Sequence, residues 1–290
     1  MEDRTKEGIN VLSLFDGMSC GQIALERAGI KVNKYFASEI KPHAIKVTQH
    51  NYPNTIQLGS VLDVKATDLP KIDLLIGGSP CQAFSIANKE RKGLQGIKSG
   101  LFFEYLRLLK ECKPTYFLLE NVEMKDKDME LISQYMGTYP VNINSELVSA
   151  QTRNRYYWTN IGSYYNDLLG FRHCNIPQPK DKKISLQSIL EDGYTDKYKS
   201  RSLNTHNGCS ENSQDKFWHR YNSTGMVTAI FKNQDLDYTK GIRHFTHTEL
   251  EKLQTIPIGY TSILTKNQAW DCIGDGWTID VISHIFSYLK

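Results

Sequence analysis

Between Ile9 and Gly162, short apolar runs alternate with stretches of helical period, and few architectures bury both kinds of element in that rhythm. "NVLSLFDG" reads as a buried first strand, and in "CGQIALERAG" Ile23, Leu25 and Ala28 suit a helix that stops at Gly29. "KYFASEI" and "TIQLGSV" follow as strands around the helical "HAIKVTQHN". "KIDLLIGG" is a fourth strand, "LFFEYLRLLKEC" an amphipathic helix ending before Pro114, and "TYFLLENV" a fifth strand; "NINSELVSA" and "RYYWTNIG" close the set. Strands alternating with helices predict an α/β fold, a doubly wound and mostly parallel sheet whose ligands bind beyond the carboxyl ends of its strands.

After Gly162 the alternation stops, and "NIPQPKDKK", "EDGYTDKYKS" and "NTHNGCSENSQDK" are polar and turn-rich. Regular structure returns at "HTELEKLQTIP" and ends in a helix, "TIDVISHIFSYL", with Ile279, Ile282, Ile285 and Phe286 on one stripe. The expected organisation is a larger domain, 1–162 plus 246–290, with a small irregular inserted region, 163–245. A length of 290 residues suits that division. Net charge is only +3, and all of the surplus lies between Ser163 and Phe245, where 12 Lys/Arg face 9 Asp/Glu. Such a segment suits a polyanion-binding surface or simply a solvated face. No apolar run approaches the roughly 20 residues that span a bilayer, so no membrane association is expected. The start, "MEDRTKEGIN", carries both signs of charge without an apolar signal core. Six cysteines with no CxxC pair read as reduced thiols of a cytoplasmic protein. His173, Cys174, His206, Cys209 and His219 show no recurring ligand spacing, and no metal is expected.

The chemistry-bearing residues fall at strand ends. "LFDGMSCG" is a glycine-containing turn between the first strand and its helix, suited to a ligand or merely to a tight turn; its Gly17 and Gly21 lack the GxGxxG spacing. Glu39, some twenty residues on, is placed to accept from ribose hydroxyls, and Asp63 to take an adenine amino group, which together suggest an adenosine-containing cofactor. "GGSPCQAFS" carries Cys81 out of the sheet behind Pro80, into a loop holding Lys89, Arg91, Lys92 and Lys98. Positive charge there lowers a thiol pKa and makes a nucleophile. Glu120 ends the fifth strand in "LLENV", either as a surface carboxylate or as a partly buried one kept protonated. Arg153 and Arg155, two apart in "QTRNRYYW", point to one side of an extended segment and suit a phosphate.

In order, "LFDGMSCG", "SEI", "GSVLD", "GGSPCQAFS", "LLENV", "QTRNRYYW", "RHFTHTELEKLQTIP" and "CIGDGWTIDVI" resemble the DNA cytosine-5 methyltransferases over nearly the whole chain outside the insert. Several spellings, "FDGMSCG", "FFEYLRLLK" and the tryptophan of "GDGW", resemble the catalytic domains of the animal de novo enzymes more than the typical bacterial form, while the absence of a long regulatory extension is expected of a bacterial or phage-borne protein. The resemblance implies S-adenosylmethionine held by Phe15, Asp16, Gly17, Gly21, Glu39, Ile40, Asp63, Val64, Pro80, Leu101, Asp275 and Trp277. It implies that Cys81 attacks carbon 6 of a flipped cytosine in duplex DNA, that Glu120 engages its N3 and amino edge, and that Arg153 and Arg155 hold the ring oxygen and backbone. Gln82, Ser85, Lys89, Arg91, Lys92 and Lys98 are the implied DNA contacts, a monomer is expected, and a cognate restriction endonuclease is a conceivable partner. Asp275 stands where the bacterial type usually carries Asn, and the insert matches no recognisable pattern, so the bases flanking the target are not legible. A tRNA cytosine-5 methyltransferase and a non-catalytic DNA-binding module on the same fold are the rival readings.

Overall fold

The computed structural model describes residues 8–79, 100–203, 214–224 and 227–289. The chain divides into two units, one of Met1–Ile143, Asn154–Gln178 and Ile282–Lys290, the other of Asn144–Arg153 and Pro179–Val281.

The first unit is built on a seven-stranded sheet. Its strands are β1 (Ile9–Leu14), β2 (Val32–Ser38), β3 (Ile56–Gln57), β4 (Leu74–Gly78), β5 (Tyr116–Val122), β6 (Val141–Asn144) and β7 (Asn154–Thr159), in the spatial order β3-β2-β1-β4-β5-β7-β6. The first five are parallel, and β7 runs antiparallel to β5. This is the doubly wound, mostly parallel sheet that the alternation predicts. Strand order reverses between β1 and β4, which makes the crevice at their carboxyl ends the switch point of the sheet.

Helices α1 (Cys20–Arg27), α2 (Pro42–Asn51), α3 (Gly100–Cys112) and α4 (Asp126–Met136) belong to this unit. On one face Phe102, Tyr105 and Leu106, spaced as one helical stripe of α3, join Leu12, Leu14, Leu75, Leu119 and Trp158 in a single core. The outer side of α3 carries Arg107, paired with Glu104 at 2.8 Å and Glu111 at 2.9 Å. On the other face α1 comes so close to the sheet that a Cβ at Gly21 would collide with Ile76 and sit 2.7 Å from the Tyr35 hydroxyl. Helix α4 is not among the elements expected from sequence, because its stretch is mostly polar. Its Ile132 and Met136 are buried nonetheless, and Ser133 accepts a 2.9 Å hydrogen bond from the Trp158 indole.

Two expected strands are shorter than their apolar patterns. After β3 the chain turns at Gly59 (φ 72°) into a 3₁₀ turn, Val61–Asp63, capped by the Ser60 hydroxyl. After β6 the Asn144 side chain accepts from the amides of Glu146 and Arg153, and these bonds replace ladder pairing.

The division into units differs from the expected domain bounds. Residues 163–178 stay with the first unit: hairpin strands β8 (Ser163–Asn166) and β9 (Arg172–Asn175) extend it, and Tyr139 bonds through its backbone to Arg172 and Cys174. Residues 246–281 go with the second unit. That unit holds α5 (Gln214–Thr224), the ribbon β10 (Ile230–Phe231) and β11 (Ile242–Arg243), α6 (His247–Leu253) and α7 (Lys266–Asp275). The last helix, α8 (Ile279–Phe286), spans the boundary. The small core of the second unit joins Phe217, Val227, Ala229 and Phe231, with Trp218 stacked on Tyr238 at 4.3 Å and on Tyr221 at 5.0 Å. Helix α6 is tied in by its capping box, Thr246 with Glu249, and by Arg243, which reaches both Glu249 oxygens at 2.7 and 2.8 Å. No helix among the described residues is long and apolar enough to cross a membrane.

Candidate active site at the carboxyl edge of the sheet

Ladder register decides what meets at the sheet edge. Leu14 lies opposite Ser38 on β2, Gly77 lies opposite Leu14 on β1 and Gly78 opposite Glu120 on β5. The chain therefore leaves four neighbouring strands along one rim: at Phe15 after β1, Glu39 after β2, Ser79 after β4, and just past Glu120 on β5. With neighbouring strands about 4.8 Å apart, that rim is about 14 Å long from β2 to β5.

At its β1 end the turn is strongly left-handed, with φ of 57° at Phe15, 58° at Gly17 and 60° at Ser19. The Gly17 amide donates to Glu39 Oε2 at 2.7 Å, while the amides of Ile40 and Lys41 donate to Oε1 at 2.7 and 2.9 Å. Two carboxylate oxygens offer about four acceptor positions, so Glu39 keeps room for a further donor such as a ribose hydroxyl. Beside it Ile40 is 71% exposed. An anchored acid next to a bare apolar side chain fits a nucleoside. Leu62, 65% exposed in the 3₁₀ turn after β3, is a second bare apolar residue that sequence reasoning passed over, since its exposure follows from the turn rather than from any motif.

The other expected cofactor residues are placed unequally. Asp16 is buried, with its carboxylate taking hydrogen bonds from Tyr35 and Ser19. Gly21 is buried in α1 where the helix meets the sheet. Asp63 is exposed at the end of its 3₁₀ turn, whereas Val64 is buried in the core and its carbonyl accepts from Arg107 at 3.0 Å. Leu101 packs partly against that same core. In the second unit, Asp275 is the exposed last residue of α7 and Trp277 is half-buried two residues on.

Pro80, Cys81, Gln82, Ser85, Lys89, Arg91, Lys92 and Lys98 lie outside the described residues. The last described residue before them, Ser79, is buried and braced by Asn121, whose side-chain amide reaches the Ser79 hydroxyl at 3.1 Å. Asn121 is another residue that sequence reasoning did not single out.

Glu120 and Arg155 come together. Glu120 is 8% exposed, and Arg155 Nε lies 3.0 Å from its Oε1, an ionic contact without hydrogen-bond alignment. Arg155 Nη1 donates to the Asn154 carbonyl at 2.8 Å. Arg153 does not share that setting. It precedes β7, belongs to the second unit and is buried; its guanidinium donates to Ser202 Oγ and to the carbonyls of Leu203, Gly274 and Gly276 at 2.9 to 3.3 Å. The strand starts only at Asn154, so Arg153 precedes the extended segment on which the expected pairing of the two arginines rests. No group of three metal-ligating side chains occurs among the described residues.

Comparison with known proteins identifies the family. The family model of the C-5 cytosine-specific DNA methylases matches residues 9–202. The Type II methyltransferase M1.ScrFI of Lactococcus lactis subsp. cremoris is 26% identical over 324 residues, covering 98% of this chain and 78% of that protein. The Type II methyltransferase M.NlaIV of Neisseria lactamica is 41% identical over 119 residues, 40% of this chain and 28% of that one. In fold the chain is similar to the S. pombe Dnmt2 methyltransferase, with a TM-score of 0.65 at 16% identity over 96% of this chain and 97% of the other. With the family match extending over more than half of its length, the chain belongs to the C-5 cytosine-specific DNA methylases and is a DNA cytosine C-5 methyltransferase.

Proposed function

We propose that the protein transfers a methyl group from S-adenosylmethionine to carbon 5 of a cytosine turned out of duplex DNA, through a transient bond between Cys81 and carbon 6. The observation that carries this reading is the register that sets Gly78, three positions before Cys81 in the sequence, beside Glu120. S-adenosylmethionine supplies an electrophilic methyl group when bound. Glu39 would take a ribose hydroxyl on its remaining acceptor position, and Ile40 and Leu62 would offer apolar surface to the adenine.

At the other end of the rim Glu120 meets the N3 and amino edge of the cytosine, and Arg155 approaches its ring oxygen. A thiol is needed because carbon 5 of an unactivated pyrimidine is too poor a nucleophile. Addition of the Cys81 thiolate to carbon 6 pushes electron density onto carbon 5; after methylation, loss of the carbon 5 proton expels the thiolate. Turning the base out of the stack costs a few kcal/mol, recovered in pocket contacts. Lys89, Arg91, Lys92 and Lys98 grip phosphates, and the irregular second unit reads the flanking bases. The Type II designation of the two relatives supports a setting in which methylation protects DNA from a cognate restriction endonuclease.

The test is a trap. Duplexes of randomised sequence containing 5-fluorocytosine block the final proton loss, so with S-adenosylmethionine they should stay attached to the wild-type protein through heating in detergent, and not to Cys81→Ser. No attachment from any duplex, or equal attachment to both proteins, refutes the proposal, and preferential methylation of tRNA redirects it to RNA.

A further inference from the structure

We propose that Asp16 is a positioning residue that never touches the cofactor: it holds the β1 turn from within the fold, in the shape that offers Gly17 and Glu39 to the ligand. The inference rests on the cofactor reading above.

Phe15 and Ser19 are not glycines, yet both adopt left-handed backbone, a conformation that persists only where its surroundings over-determine it. Asp16 is the residue through which they do so. Its amide donates to the Ser38 carbonyl at 3.1 Å, and its own carbonyl accepts from the Ser19 amide at 3.1 Å. Its carboxylate is bridged by two buried hydroxyls, Tyr35 at 2.8 Å on Oδ1 and Ser19 on Oδ2. Ser19 Oγ in turn accepts from Thr48 Oγ1 and Gln22 Nε2, each at 3.2 Å. Ser19 and Thr48 are fully buried and Tyr35 is 3% exposed, so β1, β2, α1 and α2 all converge on this one carboxylate. The missing side chain of Gly21 leaves the space that the Tyr35 hydroxyl fills.

Both hydroxyls donate, so the network is matched to an ionised Asp16. Burial pushes the Asp16 carboxyl up to about 6, against the hydroxyls of Ser13, Ser19 and Tyr35 and with the help of the Glu39 charge. The other titratable groups facing this network are Tyr35, on β2, and Cys20, on α1. As pH falls through that range, protonation puts a donor against a donating hydroxyl and loosens the turn, and cofactor affinity falls with it.

The test is calorimetric binding of S-adenosylhomocysteine between pH 5.5 and 8, which needs no turnover. Wild-type affinity should fall at least threefold from pH 7.5 to 5.5. Asp16→Asn, which accepts from Tyr35 but sets a donor against Ser19 as the protonated acid does, should bind at pH 7.5 about as wild type does at pH 5.5, at least threefold more weakly, and lose that pH dependence. Asp16→Ala should weaken binding at least tenfold at pH 7.5, and Tyr35→Phe by an intermediate factor. If Asp16→Asn keeps the wild-type pH dependence while Glu39→Gln loses it, Glu39 is the titrating group and the inference fails. It fails equally if Asp16→Ala binds as wild type does. Failure of the wild-type protein to bind at any pH overturns the cofactor reading and the inference with it.

Discussion

Gly21 has no room for even one more carbon. A Cβ there would press into Ile76 and lie 2.7 Å from the Tyr35 hydroxyl, on two buried groups that have nowhere to move. Overpacking of this kind costs about 1–3 kcal/mol. Gly21→Ala should therefore lower the unfolding free energy measured in urea by that amount and weaken S-adenosylhomocysteine binding through the displaced Tyr35. A variant of unchanged stability would show that α1 can shift away from the sheet. The site acids were legible in sequence because a carboxylate just beyond an apolar strand is conspicuous, as at Glu39 and Glu120. Asp16 was legible as a residue of the turn, but its burial was not: that depends on Tyr35, which lies nineteen positions on in the chain and is brought close by the β1–β2 ladder.

Helix α6 shows how one ion pair can govern an element. Glu249 is fully buried, and burial alone would raise its carboxyl; the Arg243 guanidinium, with the amides of Thr246 and Glu191, brings it below the usual range instead. A depressed carboxyl adds stability that is present above its unfolded value of 4.5 and lost as pH falls through the lower folded value. Arg243→Met strands that charge and should cost about 3–5 kcal/mol at neutral pH. Its stability should then rise, relative to wild type, as acid neutralises Glu249. The double variant Arg243→Met/Glu249→Met should recover most of the loss in urea denaturation, and no recovery would mean that the pair does more than satisfy itself. The capping box of α6 is readable from "THTE", whereas the partner of Glu249 is not, since Arg243 is brought to it by the turn between β11 and the helix.

For the whole molecule, the sequence reading expects Arg153 and Arg155 to share the grip on phosphate, while the structure commits the Arg153 guanidinium to four internal acceptors. Each phosphate contact adds about 0.9 to the slope of log affinity against log salt. Replacing Lys89, Arg91 and Lys92 together with Gln should flatten that slope by up to about 2.7. Arg153→Ala should leave the slope as it is and lower stability in urea instead, because buried carbonyls of Leu203, Gly274 and Gly276 lose their donor. A flattened slope in Arg153→Ala with unchanged stability would return that residue to the phosphate grip.

The alternation of apolar and amphipathic stretches by itself determined the doubly wound sheet, because short runs of period 2 and longer runs of period 3.6 bury their apolar sides only as layers. The same pattern put Glu39 and Ser79 just past strand ends and Glu120 two residues before the end of β5. Tertiary structure alone decided which polar groups meet. Ladder register aligned Gly78 with Glu120, the β1–β2 ladder brought Tyr35 to Asp16, the carbonyls of Leu203, Gly274 and Gly276 took up the Arg153 guanidinium, and Arg155 met Glu120. Hydrogen bonds and ion pairs reach only a few ångströms, and the chain positions that satisfy them lie tens of residues apart, so no local pattern records them.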